Sequence, residues 1–109
     1  MRKAIVSGAN GFVGSAVVKE LISQGYEVYA LVRENHYDQV PINEMVRIVP
    51  FSLENIEALG EVIPINEYEA FYHFAWNGSA GVDRADTALQ LKNAQWTVEC
   101  LQMAKRLGC

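Results

Sequence analysis

Three glycines near the start of the chain have the spacing of a phosphate-binding turn. Gly8, Gly11 and Gly14 follow the apolar run Ala4-Ile5-Val6 and precede an amphipathic stretch that ends at Gly25. A glycine first lets the chain turn off a strand, a second lets a pyrophosphate approach the backbone, and a third lets a helix pack closely on a sheet. Free N–H groups at the N-terminus of that helix favour negative charge. The pattern predicts a dinucleotide-binding turn; a glycine-rich turn without a ligand is the less favoured alternative.

Such a turn needs a strand before it and a helix after it, and the sequence predicts both. The strand is Lys3–Ser7, and the helix runs from Phe12 to Gln24. Gly25 follows where a left-handed C-terminal cap belongs. The helix has one apolar face, because apolar residues recur at helical spacing at Val13, Val17, Val18, Leu21 and Ile22.

The rest of the chain continues the alternation of strands and helices. The second strand, Val28–Val32, is apolar throughout, as expected of a parallel strand covered on both faces. This order predicts an α/β fold, the N-terminal half of a doubly wound parallel sheet of the Rossmann type. The other predicted elements are a strand at Val46–Val49, a short helix around Leu53, Ile56 and Leu59, a strand at Ala70–Ala75, a loop at Trp76–Asp83, and a long helix from Asp83 to Leu107 that Gly108 ends.

Composition restricts the partners that we expect. The 109 residues fit one domain, 1–109, and half of them are hydrophobic. A net charge of −4 and the lack of a basic cluster argue against nucleic acid, and no apolar run is long enough to span a membrane. Cys100 and Cys109 have neither a disulfide framework nor metal-ligand spacing. We therefore expect free thiols, no metal site and a cytoplasmic location.

The segment Val6-Ser7-Gly8-Ala9-Asn10-Gly11-Phe12-Val13-Gly14 resembles the fingerprint of the extended short-chain dehydrogenase/reductase superfamily. Its members include NAD(P)-dependent epimerases, dehydratases and reductases, many of which act on nucleotide sugars. Ser7 stands where the family usually has Thr. Leu31-Val32-Arg33, Tyr72-His73-Phe74-Ala75 and the helix around Asn93 are similar to later family segments in the same order. The resemblance covers nearly the whole chain, but only about the first third of what the family normally has.

The resemblance implies a pyrophosphate site at the glycine turn, formed by Gly8, Gly11 and Gly14 with their neighbours. It assigns the backbone N–H groups of Phe12 and Val13 to the pyrophosphate; simple core packing of their side chains is the structural alternative, and the two interpretations are compatible. Asn10 belongs to the same site. We expect it to stabilise the turn rather than touch the ligand, because Asn tolerates unusual backbone angles.

The residue after the second strand predicts which dinucleotide is preferred. NAD-binding relatives usually place an acid there, which accepts from the ribose hydroxyls. This chain has Val32 followed by Arg33, and such a pair resembles the NADP-binding members, where a guanidinium holds the 2′-phosphate. NADP is therefore the expected cofactor, with NAD as the alternative. A solvated Arg33, or a Glu34 that turns inward and favours NAD, is the competing interpretation.

Two further positions belong to the cofactor site by resemblance. Ser52 and Leu53 follow the third strand, where the family often has an Asp that binds the adenine amino group. Ser52 carries no charge, and it is at least as plausible as the N-cap of the short helix. Ala75 and Trp76 match the strand end beside the cofactor; the bulky Trp76 either shapes the nicotinamide side or fills the core.

Three polar residues have both a functional and a structural interpretation. His73 lies in an apolar strand and is interpreted as a buried, hydrogen-bonded structural histidine rather than a catalytic one. His36 lies in a polar loop and is expected to be solvated. Asn93 matches a family residue that supports the active site, and a helix-surface Asn is the equally weighted alternative.

The family's catalytic Tyr-x-x-x-Lys pair is missing from these 109 residues. The residues four positions after the five tyrosines are Ala30, Arg33, Pro41, Tyr72 and Trp76. The catalytic residues are therefore expected beyond residue 109, which makes this an N-terminal fragment without activity of its own. The first functional hypothesis is an epimerase, dehydratase or reductase acting on a nucleotide-sugar-like small molecule; the second is a non-catalytic NAD(P)-binding or redox-sensing module.

The last predicted helix also suggests an interface. Apolar residues surround it almost completely between positions 85 and 107, so one sheet face cannot bury them all. In the family this helix resembles the one that pairs with its symmetry mate, which implies a homodimer. The strand edge at Phe71–Phe74 is expected to be apolar and unpaired, and therefore to favour association as well.

Overall fold

Four parallel strands form a single sheet in the computed structural model, which describes residues 2–78 and 81–109. They are β1 (Lys3–Ser7), β2 (Glu27–Val32), β3 (Val46–Pro50) and β4 (Ala70–His73), and their order across the sheet is β3-β2-β1-β4. The chain therefore runs outward from β1 through β2 to β3 and then crosses back, so that β4 lies on the other side of β1. This topology confirms the predicted α/β class and the parallel, Rossmann-like sheet.

The register brings the carboxyl ends of three strands to the same level. Ser7, the last residue of β1, pairs with Leu31 on one side and with His73 on the other. The strand order reverses at β1, and the crevice outside the carboxyl ends at such a reversal is where open α/β sheets bind ligands. The fold thus places the glycine turn, which follows Ser7, at that crevice.

Helices cover both faces of the sheet. Helix α1 (Phe12–Ser23) packs on one face, where Val18 and Leu21 join the apolar residues Val6 and Val28 of the strands. The opposite face is covered by the C-terminal helix, with Ile5 and Leu31 buried beneath Met103 and Leu107. Burial on both faces explains why β2 is continuously apolar instead of alternating.

The short helix predicted after β3 is two pieces. A 3-10 helix at Leu53–Ala58 is followed directly by α2 (Leu59–Val62). Asn55, with φ −143° and ψ 57°, lies outside helical geometry and kinks the first piece. Leu53, Ile56 and Leu59 are all buried, so the apolar spacing that predicted a helix is used for packing.

Two boundaries differ from the prediction near the end of the sheet. β4 ends at His73 rather than at Ala75, because the Ala75 N–H donates to the Ser7 hydroxyl. The long helix α3 (Thr87–Leu107) begins one turn later than predicted, because the Asp86 side chain caps it by accepting from the Leu89 N–H at 3.1 Å. A separate 3-10 helix, Gly81–Ala85, lies in the stretch predicted as loop and helix start, while Ser79 and Ala80 of that loop lie outside the described residues.

The predicted glycine caps are present. Gly25 after α1 has φ 85° and Gly108 after α3 has φ 112°, both in the left-handed region. Across residues 2–78 and 81–109, no helix combines the length and the apolar character that crossing a membrane requires.

Candidate functional site

A cavity of about 760 Å³ opens at the carboxyl ends of the strands. Residues following all four strands line it, so it lies at the crevice that the strand order predicts. Eight of the eleven predicted site residues are on its wall: Gly8, Asn10, Gly11, Arg33, Ser52, Leu53, Ala75 and Trp76. Phe12, Val13 and Gly14 are not on the wall; they lie just beyond Gly11, in the first turn of α1.

The fold itself requires two of the three glycines in the turn. Gly8 has φ +67°, and a Cβ there would lie 2.8 Å from the Ala75 nitrogen. A Cβ at Gly14 would overlap the carbonyl oxygen of Gly8. Both positions therefore exclude other residues by backbone conformation or by close packing of α1 against the turn.

Gly11 is different, because its backbone conformation does not require glycine and a Cβ there would overlap no other atom. Its φ of −81° and ψ of 171° are accessible to any residue. A Cβ would meet only the Gly8 carbonyl oxygen, at 3.3 Å, which is a tight contact but not an overlap. The space that a Gly11 side chain would fill lies at the cavity wall. A bound ligand can therefore approach the protein backbone there.

The N-terminus of α1 is arranged to receive an anion. Its N-cap is Gly11, which has no side chain to satisfy the first-turn N–H groups, and the first intrahelical bond runs from Ser15 N–H to Gly11 O at 2.9 Å. The N–H groups of Phe12 and Val13 precede that bond and have no intrahelical acceptor. The core-packing interpretation of these two side chains was wrong: Phe12 is 94% exposed and Val13 is 53% exposed. The helix turns the side chains of Phe12 and Val13 away from the sheet and buries Gly14, Val18 and Leu21.

The reason given for Asn10 was also wrong, although the residue does line the cavity. The left-handed position of the turn is Gly8. Among the described residues, Asn35 is the one non-glycine residue with positive φ. Asn10 therefore needs no special tolerance of backbone angle.

Arg33 leaves the end of β2 and reaches across the cavity. Its Nη2 donates to Oδ1 of Asn77 at 2.8 Å, and both residues line the cavity wall. Arg33 is exposed and Glu34 lies beside it, on a second cavity of about 400 Å³. The guanidinium is thus held over the crevice by a neutral amide.

Ser52 is the N-cap of the helix after β3. Its hydroxyl accepts from the Glu54 N–H at 3.2 Å, while Ser52 and the buried Leu53 still line the cavity. The capping alternative is therefore confirmed. An adenine contact at these two residues stays a prediction.

Trp76 is partly exposed rather than a core residue. Its Nε1 donates to Oε1 of Gln90 at 2.9 Å, and 44% of the residue is accessible. Gln90 Nε2 in turn donates to the Gly78 carbonyl oxygen at 3.1 Å. Helix α3 therefore fixes the loop after β4 and, with it, the cavity wall at Ala75 and Trp76.

Asn93 is almost completely buried, and the helix-surface interpretation was wrong. Its side chain makes a matched pair of bonds with one backbone residue: Oδ1 accepts from the Asn77 N–H at 3.0 Å, and Nδ2 donates to the Asn77 carbonyl at 2.7 Å. Asn93 thus fixes the backbone of the residue that holds Arg33. Asn77 was missed from the sequence; a polar residue in the short loop after a strand that ends at the crevice was the available signal.

The histidines are placed as interpreted, with one difference. His73 is hydrogen-bonded to Ser7 through Nδ1 at 2.7 Å, but it is only half-buried, because β4 forms the edge of the described sheet. Burial lowers the pKa of His73 below its ordinary value. His36 is exposed, and its Nδ1 lies 3.0 Å from the Glu34 carbonyl oxygen of the same loop.

The two thiols are free in the structure. Burial raises the pKa of Cys100 to about 12, so this thiol stays protonated at neutral pH. Burial also raises the pKa of Cys109, which is largely exposed. No group of three potential metal ligands comes together in the part of the chain that the structure describes.

Comparison with known families identifies the class of protein to which this cavity belongs. Residues 4–109 match the model of the NAD dependent epimerase/dehydratase family. The chain belongs to that family. The match covers all four strands, the glycine turn and α3, so the resemblance stated from the sequence is confirmed.

Individual relatives agree with this assignment. The sterol-4-alpha-carboxylate 3-dehydrogenase, decarboxylating, of Dictyostelium discoideum is 35% identical over 63 residues, which are 58% of this chain and 19% of that protein. The epimerase Mth375 of Methanothermobacter thermautotrophicus superposes with a TM-score of 0.81 at 22% identity, covering 98% of this chain and 32% of its own. A UDP-galactose 4-epimerase superposes with a TM-score of 0.76 at 21% identity, covering 97% and 35%. The chain thus spans about a third of the length of these solved structures, and the two superpositions show the shared fold.

Proposed function

We propose that this chain is the dinucleotide-binding part of an NAD(P)-dependent epimerase, dehydratase or reductase. The observation that carries the proposal is Gly11. The backbone conformation does not need a glycine there and a Cβ would overlap no other atom, yet the position lies on the cavity wall at the N-terminus of α1. An approaching pyrophosphate explains the missing side chain, and the family to which the chain belongs is NAD dependent.

The residues around the cavity fit a dinucleotide from end to end. The first-turn N–H groups of Phe12 and Val13 would hold the pyrophosphate, and Leu53 with Ser52 would receive the adenine. Ala75 and Trp76 would bound the path toward the nicotinamide. When bound, the nicotinamide ring would supply hydride transfer; the residues of this chain would bind and orient the cofactor, and the α3 contacts of the β4 loop would hold the cavity wall in place.

NADP is the dinucleotide that we propose as preferred. Arg33 follows β2 directly, and no acid lies at the strand end to repel a 2′-phosphate or to accept from the ribose hydroxyls. Its guanidinium already lies over the cavity, in contact with Asn77. A phosphate is a stronger acceptor for a guanidinium than a neutral amide, because the bond is charge-assisted on both sides.

The substrate that we propose is a nucleotide-sugar-like small molecule. A UDP-galactose 4-epimerase of the same fold is an example of an enzyme named for such a substrate. No tyrosine of the 109 residues is followed by lysine at the fourth position, so the proton-transfer pair of the superfamily is not supplied by these residues. We therefore propose that these residues bind nucleotide without turnover. Nicotinamide oxidation by this chain with a sugar nucleotide would contradict that.

The missing Tyr-x-x-x-Lys pair also favours a second candidate, a non-catalytic NAD(P)-binding or redox-sensing module. The two candidates share the cofactor site and differ in chemistry alone. A Tyr-x-x-x-Lys in the same gene beyond residue 109 selects the enzyme, and its absence there selects the module.

The experiment that tests the cofactor site compares two glycines. Gly11→Val fills the space at the cavity wall, whereas Gly60→Val adds the same side chain in α2, where a Cβ would meet the flexible end of Arg106 at 3.2 Å and the Met103 side chain at an ordinary 3.9 Å. Calorimetric titration with NADP and NAD, alongside thermal melts, should show loss of binding in Gly11→Val with folding retained, and unchanged binding in Gly60→Val. A Gly11→Val protein that melts and binds like the wild type would refute the cofactor site.

A further inference from the structure

We propose that Arg33 and Asn77 form a latch across the cofactor crevice, and that Asn77 lowers the affinity of the site for both nucleotides. This inference rests on the proposed function, since it concerns the same cavity. Asn77 is then an affinity-determining residue that competes with the ligand for the guanidinium.

The strand order shows that the hydrogen bond spans the crevice. Arg33 follows β2 and Asn77 lies four residues beyond the end of β4, with β1 between these two strands. Neighbouring strands lie about 4.8 Å apart, so strands on either side of β1 are separated by roughly twice that distance. The 2.8 Å bond between the two side chains therefore closes a gap above the carboxyl end of β1, where the glycine turn starts.

Asn77 is the fixed half of the latch. Its backbone N–H and C=O are both bonded to the buried side chain of Asn93 on α3. Its side-chain Oδ1 is directed to Arg33 and lies on the wall of the same cavity. Opening the latch thus requires no change in the β4 loop.

Arg33 is the mobile half. It is exposed, it is the first residue after β2, and its side chain has the rotamer freedom of any surface arginine. The proposed nicotinamide wall, Ala75 and Trp76, follows β4, and the proposed adenine residue Leu53 follows β3. A dinucleotide that spans them crosses the carboxyl end of β1, which the Arg33–Asn77 bond also spans. Binding of either nucleotide therefore requires the Arg33–Asn77 bond to break.

NADP and NAD differ in the hydrogen-bond acceptor that they offer to Arg33 once its bond to Asn77 is broken. NADP offers a 2′-phosphate, which replaces the lost amide by a stronger, charge-assisted partner. NAD offers only hydroxyls. The latch thus weakens both nucleotides equally through the lost bond, while Arg33 afterwards favours NADP alone.

Three variants separate these effects. Asn77→Ala removes the acceptor and keeps the backbone bonds to Asn93, Arg33→Ala removes the guanidinium, and Asn66→Ala is a control whose side chain bonds its own loop at the Glu67 N–H. By calorimetric titration of NADP and NAD, Asn77→Ala should bind both roughly three- to tenfold more tightly, the scale of one hydrogen bond. Arg33→Ala should gain a similar factor for NAD but lose affinity for NADP. The double variant should match Arg33→Ala, and Asn66→Ala should match the wild type.

A second measurement tests the latch without nucleotide. The guanidinium N–H signals of Arg33 in NMR should exchange with water faster in Asn77→Ala than in the wild type and in Asn66→Ala. Unchanged exchange, or NAD affinity that is unchanged or weaker in Asn77→Ala, overturns the latch even if NADP binds. Arg33 N–H groups that exchange more slowly in the wild type than in Asn77→Ala support the hydrogen bond. If, in addition, no variant binds either nucleotide, the proposed cofactor site and the competition at it are both overturned.

Discussion

The Ser7 hydroxyl joins the ends of β1 and β4, and it lies 2.7 Å from Nδ1 of His73. The same oxygen accepts from the Phe74 N–H at 3.0 Å and from the Ala75 N–H at 3.1 Å. With two N–H donors on its lone pairs, the hydroxyl has only its own proton to give, so the pattern assigns Nδ1 of His73 as the acceptor. His73 is therefore neutral when the strand ends are in register.

The neutral His73 predicts that stability depends on pH. Burial lowers the pKa of His73 below 6.5, its ordinary value, so between the two values the unfolded chain binds the proton and the folded chain does not. This contribution to the free energy of unfolding is fully present above the unfolded pKa and is lost as pH falls through it toward the lowered folded value. We expect denaturant unfolding to show a smaller loss of stability between about pH 7.5 and about pH 5 in His73→Asn than in the wild type.

A control variant is needed because carboxyl groups also titrate as pH falls and change the stability of every variant. His73→Asn keeps an acceptor near the position of Nδ1 and removes the titrating ring. His36→Asn removes the other histidine, which is exposed in the loop after β2. An equal pH slope in His73→Asn and His36→Asn would count against the role of His73.

The glycines of the turn should separate folding from binding. Gly8→Ala combines a positive φ with a contact of 2.8 Å to the Ala75 nitrogen, which is backbone and cannot move aside. We expect a loss of roughly 2–4 kcal/mol in the free energy of unfolding. Gly11→Ala has an ordinary φ, so its loss should stay below about 1 kcal/mol. Denaturant titration measures both, and a Gly11→Ala protein as unstable as Gly8→Ala would contradict the difference.

The sequence predicted the fold well because its signals were local and redundant. Ser7 to Gly14 combine a strand end, glycine spacing and a helix start, and each signal predicts the same unit. The boundaries that failed depend on single side chains: Asp86 caps α3 one turn late, and the Ser7 hydroxyl takes the N–H of Ala75 out of the strand ladder. Periodicity does not register such bonds.

The candidate site was predicted at its backbone turn but not in its side-chain contacts. Asn77 and Asn93 are sixteen positions apart, and their pairing follows from how α3 packs beside the β4 loop. Core packing was the structural interpretation of the Phe12 side chain, yet the direction of α1 exposes it. The pairing of Asn77 with Asn93 and the exposure of Phe12 both depend on how the helices are placed in three dimensions. The type of a single residue does not predict that placement.

Asn93 should be essential for the shape of the β4 loop. Asn93→Leu would leave the part-buried N–H and C=O of Asn77 without their side-chain partners, and the roughly 1–3 kcal/mol that an unsatisfied buried polar group costs is the upper bound of the loss. Gln95→Leu, at an exposed position of the same helix, is the matched control. We expect a lower melting temperature and weaker nucleotide binding in Asn93→Leu alone. Similar melting temperatures for the two variants would show that the pair does not fix the loop.

The outer side of α3 should drive association of the chain. Leu91, Ala94, Val98 and Leu101 are exposed and recur at intervals of three and four, which is the spacing of a seam between two helices. Leu91 and Leu101 are 67% and 71% accessible, so little of their apolar surface is buried within the chain. The proposed partner is a second copy of α3, which gives a homodimer. The edge of β4 is the competing surface, with Tyr72 and Phe74 36% and 39% accessible.

One pair of charge-adding variants distinguishes these surfaces. Leu101→Glu places a carboxylate in the stripe, whereas Gln102→Glu adds the same charge one residue away, at an exposed position outside it. Burying an unpaired carboxylate between two helices is strongly unfavourable, so Leu101→Glu should shift the protein to monomer while Gln102→Glu leaves its association unchanged. Because Leu101 is exposed, the melting temperature of the monomer should change little. Light scattering over a range of concentrations measures the mass of the particles. Association that persists in Leu101→Glu would point to the β4 edge. A wild-type chain that is monomeric at every concentration would rule out both surfaces.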